Sequence, residues 1–168
     1  MDLNNYIRDV ENFPKEGITF KDITPLLENS EAFSEAVDQF CEKVWDVDKI
    51  VWLDARWFLF AGAMCYKLKK PLVIIRKTGK LPSKTITQTY DLEYGSASFD
   101  IHVDSIDKWD RVAIIDDLLA TWWTAEASAK LIEELWWIVD SLNFVVNLSF
   151  LPWEKRLSKY KINSLLNY

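Results

Sequence analysis

Two carboxylates stand side by side at the end of an apolar run in the segment Arg111-Val-Ala-Ile-Ile-Asp-Asp-Leu-Leu-Ala-Thr-Trp-Trp-Thr-Ala125. Asp116 and Asp117 are the side chains here whose type and spacing best suit chemistry, because adjacent acceptors can take hydrogen bonds from the neighbouring hydroxyls of a sugar. Thr121 and Thr124 follow at the start of an expected helix. There, free backbone N–H groups and the helix dipole favour an anion such as phosphate. An acidic turn capped by threonines is the plain structural alternative.

The elements around the acids have to hold them in place. Residues 112–115 form an unbroken apolar run, as expected of a strand buried on both faces of a parallel sheet. That strand is expected to end at the acid pair and give way to a small polar turn. Ala125, Ala129, Ile132 and Leu135 then lie on one helical stripe. In open α/β sheets ligands bind at the carboxyl ends of the strands, where loops lead into helices.

The rest of the chain repeats this alternation. Residues 13–27 mix Pro, Gly and Asp with scattered apolar residues and read as an ordered loop with short turns. Ser30 is the expected N-cap of a helix with Glu31 in its first turn and a buried stripe of Phe33, Val37, Phe40 and Val44. Residues 49–54 predict a strand, 58–68 a helix, and 72–75 a strand entering the basic loop Arg76-Lys-Thr-Gly-Lys80. Residues 85–90 and 98–103 predict an antiparallel hairpin: Phe99, Ile101 and Val103 alternate with polar residues, and Glu93, Tyr94 and Gly95 lie at the turn. A last strand is expected at 144–148. The class is α/β, a mainly parallel twisted sheet flanked by helices, in one domain over residues 1–168.

Bulk properties narrow the function. The 168 residues carry a net charge of −6 and 49% hydrophobic side chains, which argues for a substantial core and against a nucleic-acid footprint. No apolar run approaches the roughly 18 residues of a membrane span, and the polar start Met1-Asp-Leu-Asn-Asn5 does not read as a signal peptide. Cys41 and Cys65 show neither metal-ligand spacing nor a disulfide framework, as in a reducing cytoplasm. His102, the only histidine, is expected at the surface.

Laid out in this order, the motifs resemble a known family. The strand-Asp-Asp-loop-Thr of residues 112–124 is similar to the phosphoribosyl-diphosphate signature of type I phosphoribosyltransferases. Four further stretches narrow the resemblance to the adenine phosphoribosyltransferase family: Phe20-Lys-Asp-Ile-Thr-Pro-Leu-Leu27, Asp54-Ala-Arg-Trp-Phe58, Arg76-Lys-Thr-Gly-Lys-Leu-Pro82 and Tyr90-Asp-Leu-Glu-Tyr-Gly95. The resemblance covers essentially the whole chain. It implies a parallel sheet with a small hood from the N-terminal segment and an antiparallel lid hairpin. The activity implied is transfer of the phosphoribosyl group from 5-phosphoribosyl 1-diphosphate to adenine, with Mg²⁺, in a cytoplasmic homodimer of purine salvage.

Residue by residue, the resemblance implies that Asp116 and Asp117 accept from the ribose hydroxyls near the developing positive charge. The backbone of residues 120–124 (Ala120, Thr121, Trp122, Trp123, Thr124) would cradle the 5′-phosphate. Arg56 would contact diphosphate or base, at a turn where the peptide joining Asp54 and Ala55 is expected to be cis. Lys77 and Lys80 would face the diphosphate, Glu93 would serve as the acid at the lid tip, and Tyr94 would help close the lid. Phe20 and Leu151 would stack on the base, and the Lys21 region would offer backbone contacts to its edge. Mg²⁺ would be held mainly through diphosphate and ribose oxygens rather than by the protein directly. A 6-oxopurine or xanthine phosphoribosyltransferase is the same-class alternative, disfavoured by residues 20–27 and by the Leu-Glu-Tyr-Gly stretch. A non-catalytic regulator of the same fold would need a basic surface or an appended nucleic-acid domain. A homologue crippled by its tryptophans is a third alternative.

The tryptophans depart from the family pattern. Nine of them accompany four glycines, where ordinary usage gives about twelve glycines in a chain of this size. Trp52, Trp57, Trp109, Trp122, Trp123, Trp136, Trp137 and Trp153 stand where the resembling family commonly has glycine, and Trp45 occupies a similar turn. UGA is read as glycine in some genetic codes and as tryptophan in others, so a single recoding accounts for all of them. Indoles at 122 and 123 would crowd a phosphate loop, and the tryptophan-bearing chain is expected to be weakly active or inactive beside its nine-glycine counterpart.

Overall fold

The structure, a computed structural model, describes residues 1–53, 58–91, 96–105, 107, 109–119, 122–149 and 154–168. After a 3-10 turn at Leu3–Tyr6 comes a hairpin, formed by β1 (Arg8–Glu11) and β2 (Thr19–Asp22), with α1 (Thr24–Glu28) and α2 (Ser30–Lys43) after it. Then follow β3 (Lys49–Leu53), α3 (Phe58–Leu68), β4 (Leu72–Lys77), β5 (Thr85–Asp91), β6 (Ser96–His102), β7 (Arg111–Leu119), α4 (Trp122–Glu134), β8 (Ile138–Asn147), α5 (Glu154–Leu157) and β9 (Lys161–Asn167). Seven strands form one sheet in the order β5-β6-β4-β3-β7-β8-β9, and β1 and β2 pair separately. β4, β3, β7, β8 and β9 are mutually parallel, so their carboxyl ends share one edge. β6 runs antiparallel to both β4 and β5.

The central strands β3 and β7 are buried on both faces, which explains their continuous apolar runs. Successive strand residues point to opposite sides. Ile50, Trp52, Ala113 and Ile115 pack under α2 and α3 with Phe40, Phe60 and Met64. Val51, Leu53, Val112 and Ile114 face the opposite way, against Ala125, Ala129, Ile132 and Leu135 of α4. Ile50, Ile114 and Ile115 are essentially solvent-free, and full burial of such a side chain stabilises by about 1.5–3 kcal/mol.

Several sequence expectations are corrected. Asn29, not Ser30, caps α2: its side chain accepts from the Ala32 N–H at 2.9 Å, and Ser30 is already helical. Residues 13–27 are not one loop, since β2 pairs with β1 through Val10 opposite Phe20 and Asp9 opposite Lys21. β7 does not stop at the acids but runs through them to Leu119. The strand expected at 144–148 is the far half of the ten-residue β8, and β9 was not foreseen. Val103, expected inside the hairpin, is exposed in a short 3-10 turn.

Candidate functional site

The ligand-facing edge is where five parallel strands end. From central β3 the chain goes to β4 on one side and, after the β5–β6 hairpin, returns to β7 on the other. β3 therefore lies at a topological switch point, where open α/β sheets take their ligands.

Asp116 and Asp117 stand near the end of β7, both half-buried. Asp116 lies opposite Phe144 of β8, and its Oδ1 accepts from the Asp117 N–H at 2.9 Å. Burial pushes the Asp116 carboxyl well above the usual carboxylate range. The charge of Asp117 and a side-chain hydrogen bond with it push the same way, and the Asp117 N–H opposes them without winning. Two bare charges are thus disfavoured here until hydroxyl donors or a cation arrive. Among the described residues no group of three His, Cys, Asp or Glu side chains could hold a metal ion. A divalent cation at this edge would have to bring most of its oxygen ligands with it, and the strained acid pair suits such a neighbour.

α4 starts at Trp122, so Trp122 and Trp123 form its first turn rather than the loop before it, which is a correction to the expected phosphate loop. Thr124 follows in the same turn, its carbonyl accepting from Ser128 Oγ at 2.7 Å. Trp123 lines a cleft of about 280 Å³ between β5, α4 and α5, with Gln88, Thr89, Lys130 and Arg156.

β4 carries the basic turn to the same edge. Lys77 is its last residue, and Lys77 and Lys80 are both exposed. The Lys80 N–H donates to the Lys77 carbonyl at 3.1 Å across a four-residue turn whose third residue, Gly79, has φ +79°. That conformation calls for glycine. Arg76 Nη1 donates to the Lys80 carbonyl at 3.2 Å. β4 and β7 are two strand spacings apart, about 10 Å, a span suited to a diphosphate beside a ribose.

The β1–β2 hairpin is tied to this edge by its side chains. Lys21, with a side chain only 15% exposed, pairs with Asp9 at 2.8 Å and lies 4.0 Å from the centre of the Tyr168 ring. Tyr168 donates its N–H to Asn147 and accepts from Ser149, and Leu148 donates to Leu119 at the end of β7. A continuous chain of contacts thus connects Lys21 to the strand that bears the acids. Phe20 is half-buried and meets Phe13 edge-on at 5.3 Å between ring centres. Among the described residues only β1 pairs with β2, leaving the other edge of β2 open.

Arg56, Glu93, Tyr94, Ala120, Thr121 and Leu151 lie outside the described residues, as do Trp57, Trp153 and the peptide joining Asp54 and Ala55. Of the remaining candidates, the fold gathers Asp116, Asp117, Lys77, Lys80, Phe20, Lys21 and the start of α4 along one edge. His102 is half-buried rather than at the surface, with a buried Nε2 that has no hydrogen bond among the described residues. Sequence reasoning missed Asp100 and Tyr168. The alternation in residues 98–103 assigns Asp100 to a solvent face, yet it is 3% exposed.

Paired acids ahead of a helix start, at the carboxyl edge of a parallel sheet with an antiparallel lid hairpin and a hood, are the arrangement of a type I phosphoribosyltransferase. No family model matches the chain. The chain is 50% identical over 170 residues to the adenine phosphoribosyltransferase of Thermotoga sp. strain RQ2, covering all of both chains. It is 49% identical, again at full coverage, to that of Alkaliphilus metalliredigens. The crystal structure of the Thermoanaerobacter pseudethanolicus adenine phosphoribosyltransferase superposes with a TM-score of 0.92 at 43% identity, over 99% of this chain and 98% of that one. That of the Saccharomyces cerevisiae enzyme, complexed with an imino-altritol bisphosphate and adenine, gives 0.91 at 35% identity, over 98% and 96%. The chain belongs to the adenine phosphoribosyltransferase family.

Proposed function

We propose that the chain transfers the 5-phosphoribosyl group of 5-phosphoribosyl 1-diphosphate to adenine, giving AMP and diphosphate in purine salvage. The observation that carries this reading is the acid pair Asp116–Asp117 in the last part of β7, the strand that leads into α4. In the reaction a ring nitrogen of adenine bonds to the anomeric carbon as the bond from that carbon to the diphosphate oxygen breaks. The sugar passes through a cation-like state, so rate depends on holding charge in place and excluding water.

In this reading Asp116 and Asp117 accept from the ribose 2′- and 3′-hydroxyls and face the positive charge as it develops. The backbone of 120–124, with Thr121 and Thr124, cradles the 5′-phosphate, and Trp122 and Trp123 border it. Arg56, Lys77 and Lys80 hold the diphosphate, and Tyr94 closes the lid. Glu93 hydrogen-bonds the purine and takes up the proton it sheds as its ring nitrogen bonds to the sugar, returning it in the reverse reaction. Phe20 and Leu151 stack on adenine, while the open edge of β2 at Phe20 and Lys21 offers backbone groups to the base. Mg²⁺ bound with the diphosphate would supply charge neutralisation for the leaving group, with no direct protein ligand required beyond the neighbourhood of Asp116 and Asp117.

The 168 residues act as one domain in the cytoplasm and pair as a homodimer. Among the described residues no helix is long and apolar enough to cross a membrane. α3 supports the pairing. Phe60, Ala61 and Met64 face the core, yet Leu59 (42% exposed), Gly62 and Tyr66 (90% exposed) form a second, outward stripe. A helix apolar all round is ordinarily covered, and Gly62 leaves its backbone open to approach. An assay of nucleotide formation with adenine, hypoxanthine and guanine, run on the chain with glycine restored at the nine tryptophan positions, tests the function. AMP from adenine alone is expected, and preference for hypoxanthine or guanine would overturn the reading.

A further inference from the structure

Asp100 is a buried acid outside the ribose site, and its contacts join three separate pieces of chain. It lies on β6, opposite Arg76 of β4 and Thr87 of β5. Its Oδ1 accepts from Thr87 Oγ1 at 2.7 Å and from Thr78 Oγ1 at 3.1 Å, and its Oδ2 accepts from the Gly79 N–H at 2.8 Å. Burial alone would raise this carboxyl, but the three donors outweigh it and hold it below the ordinary carboxylate value. Thr78 and Gly79 are the two central residues of the Lys77–Lys80 turn, and the Thr78 N–H also donates to Ser98 of β6 at 3.0 Å. A buried, charged acceptor with three donors is a strong local restraint.

We propose that Asp100 is the positioning residue of the diphosphate site: it clamps the basic turn to the lid hairpin so that Lys77 and Lys80 are presented together at the ligand edge. This rests on the reading of Lys77 and Lys80 as diphosphate contacts. Asp100 reaches no substrate itself and acts through the turn. Because it also grips Thr87, it ties the basic turn to β5, and the hairpin and the turn move as one body.

Binding of 5-phosphoribosyl 1-diphosphate and of AMP, measured by titration calorimetry, tests this without requiring turnover, since AMP lacks the diphosphate. D100N is expected to weaken the diphosphate-bearing ligand about tenfold, the scale of one charge-assisted hydrogen bond, and to leave AMP affinity unchanged. T78V, which removes one donor and keeps the carboxylate, should give a smaller loss in the same direction and covers the case in which D100N does not fold. Equal weakening of both ligands, or a lowered melting temperature with both affinities intact, would make Asp100 a scaffold residue only and overturn the proposal. K77A and K80A separate the two layers: if they leave diphosphate binding unchanged, the reading of the basic turn itself fails. If they weaken it and D100N adds nothing on top of them, Asp100 acts through those lysines.

A second inference rests on backbone geometry. After α4, the Trp137 N–H donates to the Ile132 carbonyl at 3.3 Å and the Trp136 N–H to the Glu133 carbonyl at 3.0 Å. This is the paired pattern of a Schellman helix end, in which Trp136 is the left-handed residue, at φ +65°. Trp109 has φ +74° and is the third residue of a turn closed by the Asp110 N–H on the Asp107 carbonyl at 3.4 Å. Its own N–H donates to the Trp136 carbonyl at 3.0 Å, and the two rings stand edge to face, 65% and 63% exposed. Both positions are ones that glycine fills without strain. We infer that the functional polypeptide carries glycine at 109 and 136, specified by UGA codons that its source reads as glycine. Peptide masses from the protein purified from its native source should show glycine at both positions, and W109G and W136G should each raise the melting temperature. Tryptophan in the native peptides, or UGG codons at either position, would overturn the inference.

Discussion

The Asp117 backbone N–H donates to the carboxylate of Asp116, its immediate neighbour, at 2.9 Å. The link fixes the Asp116 carboxylate within its own strand. It does not relieve the carboxyl, which burial and the adjacent Asp117 charge keep well above its ordinary value of 3.8. A carboxyl raised on folding binds its proton more tightly in the folded chain, so the fold gains stability as pH falls through the folded pKa and loses it as pH rises. D116N should therefore raise the melting temperature at neutral pH, and the gap to the parent should close as pH falls toward 4. In the glycine-restored chain the same substitution should lower AMP formation on the order of 10- to 100-fold, since a hydrogen bond to a charged group contributes about 1.5–3 kcal/mol. Melting curves across pH and steady-state rates check the two halves separately.

Asn29 gives a test of local structure alone. Its side chain satisfies the Ala32 N–H at the start of α2, so N29A should cost about 1 kcal/mol in denaturant unfolding. S30A, inside the first turn, should change stability by only a few tenths of a kcal/mol.

The hood should separate stability from base binding. The Asp9–Lys21 pair joins a 56% exposed carboxylate to a mostly covered lysine, and a partly exposed pair contributes only about 0–1 kcal/mol. D9N should barely shift the unfolding midpoint. It frees Lys21 to drift from the Tyr168 ring, however, so the KM for adenine should rise while that for 5-phosphoribosyl 1-diphosphate stays constant.

The outward stripe of α3 predicts the assembly state. L59D, or Y66D on the same stripe, should convert a dimer to a monomer in sedimentation velocity. Neither side chain takes part in the core, so far-ultraviolet circular dichroism should be unchanged.

The fold's centre was legible because its strands and helices are strongly apolar. α3 falls at the residues its pattern marks, and the α4 stripe of Ala125, Ala129, Ile132 and Leu135 is fully buried. β9 and the first half of β8 escaped because polar side chains do the pairing there. Asn143 donates to the Ile114 carbonyl and accepts from Asn163, and Asn147 donates to Asn167. Side-chain amides that pair across neighbouring strands look like loop residues in a linear pattern. The β1–β2 hairpin was hidden by Pro14 and Gly17, which mark its turn but obscure the short strands on either side. Asp116 and Asp117 were found because adjacent acids after an apolar run are rare. Asp100 was not, because its value lies in partners distant in sequence, among them Thr78 and Gly79.

The placement of β3 between β4 and β7 has a consequence for the nascent chain. β4 emerges soon after β3 and covers one of its sides, but the partner of the other side, with Lys49 facing Val112, is made only after the whole hairpin. Until then the growing polypeptide exposes a short but apolar strand edge with unpaired backbone groups, a ready template for aggregation. The strand that seals this edge is the one that bears the acid pair. A ribosome that stalls before β7 therefore releases a chain whose β3 edge is open, and one that passes it covers that edge and delivers the acid pair in the same event, leaving β7 to be covered in turn by β8.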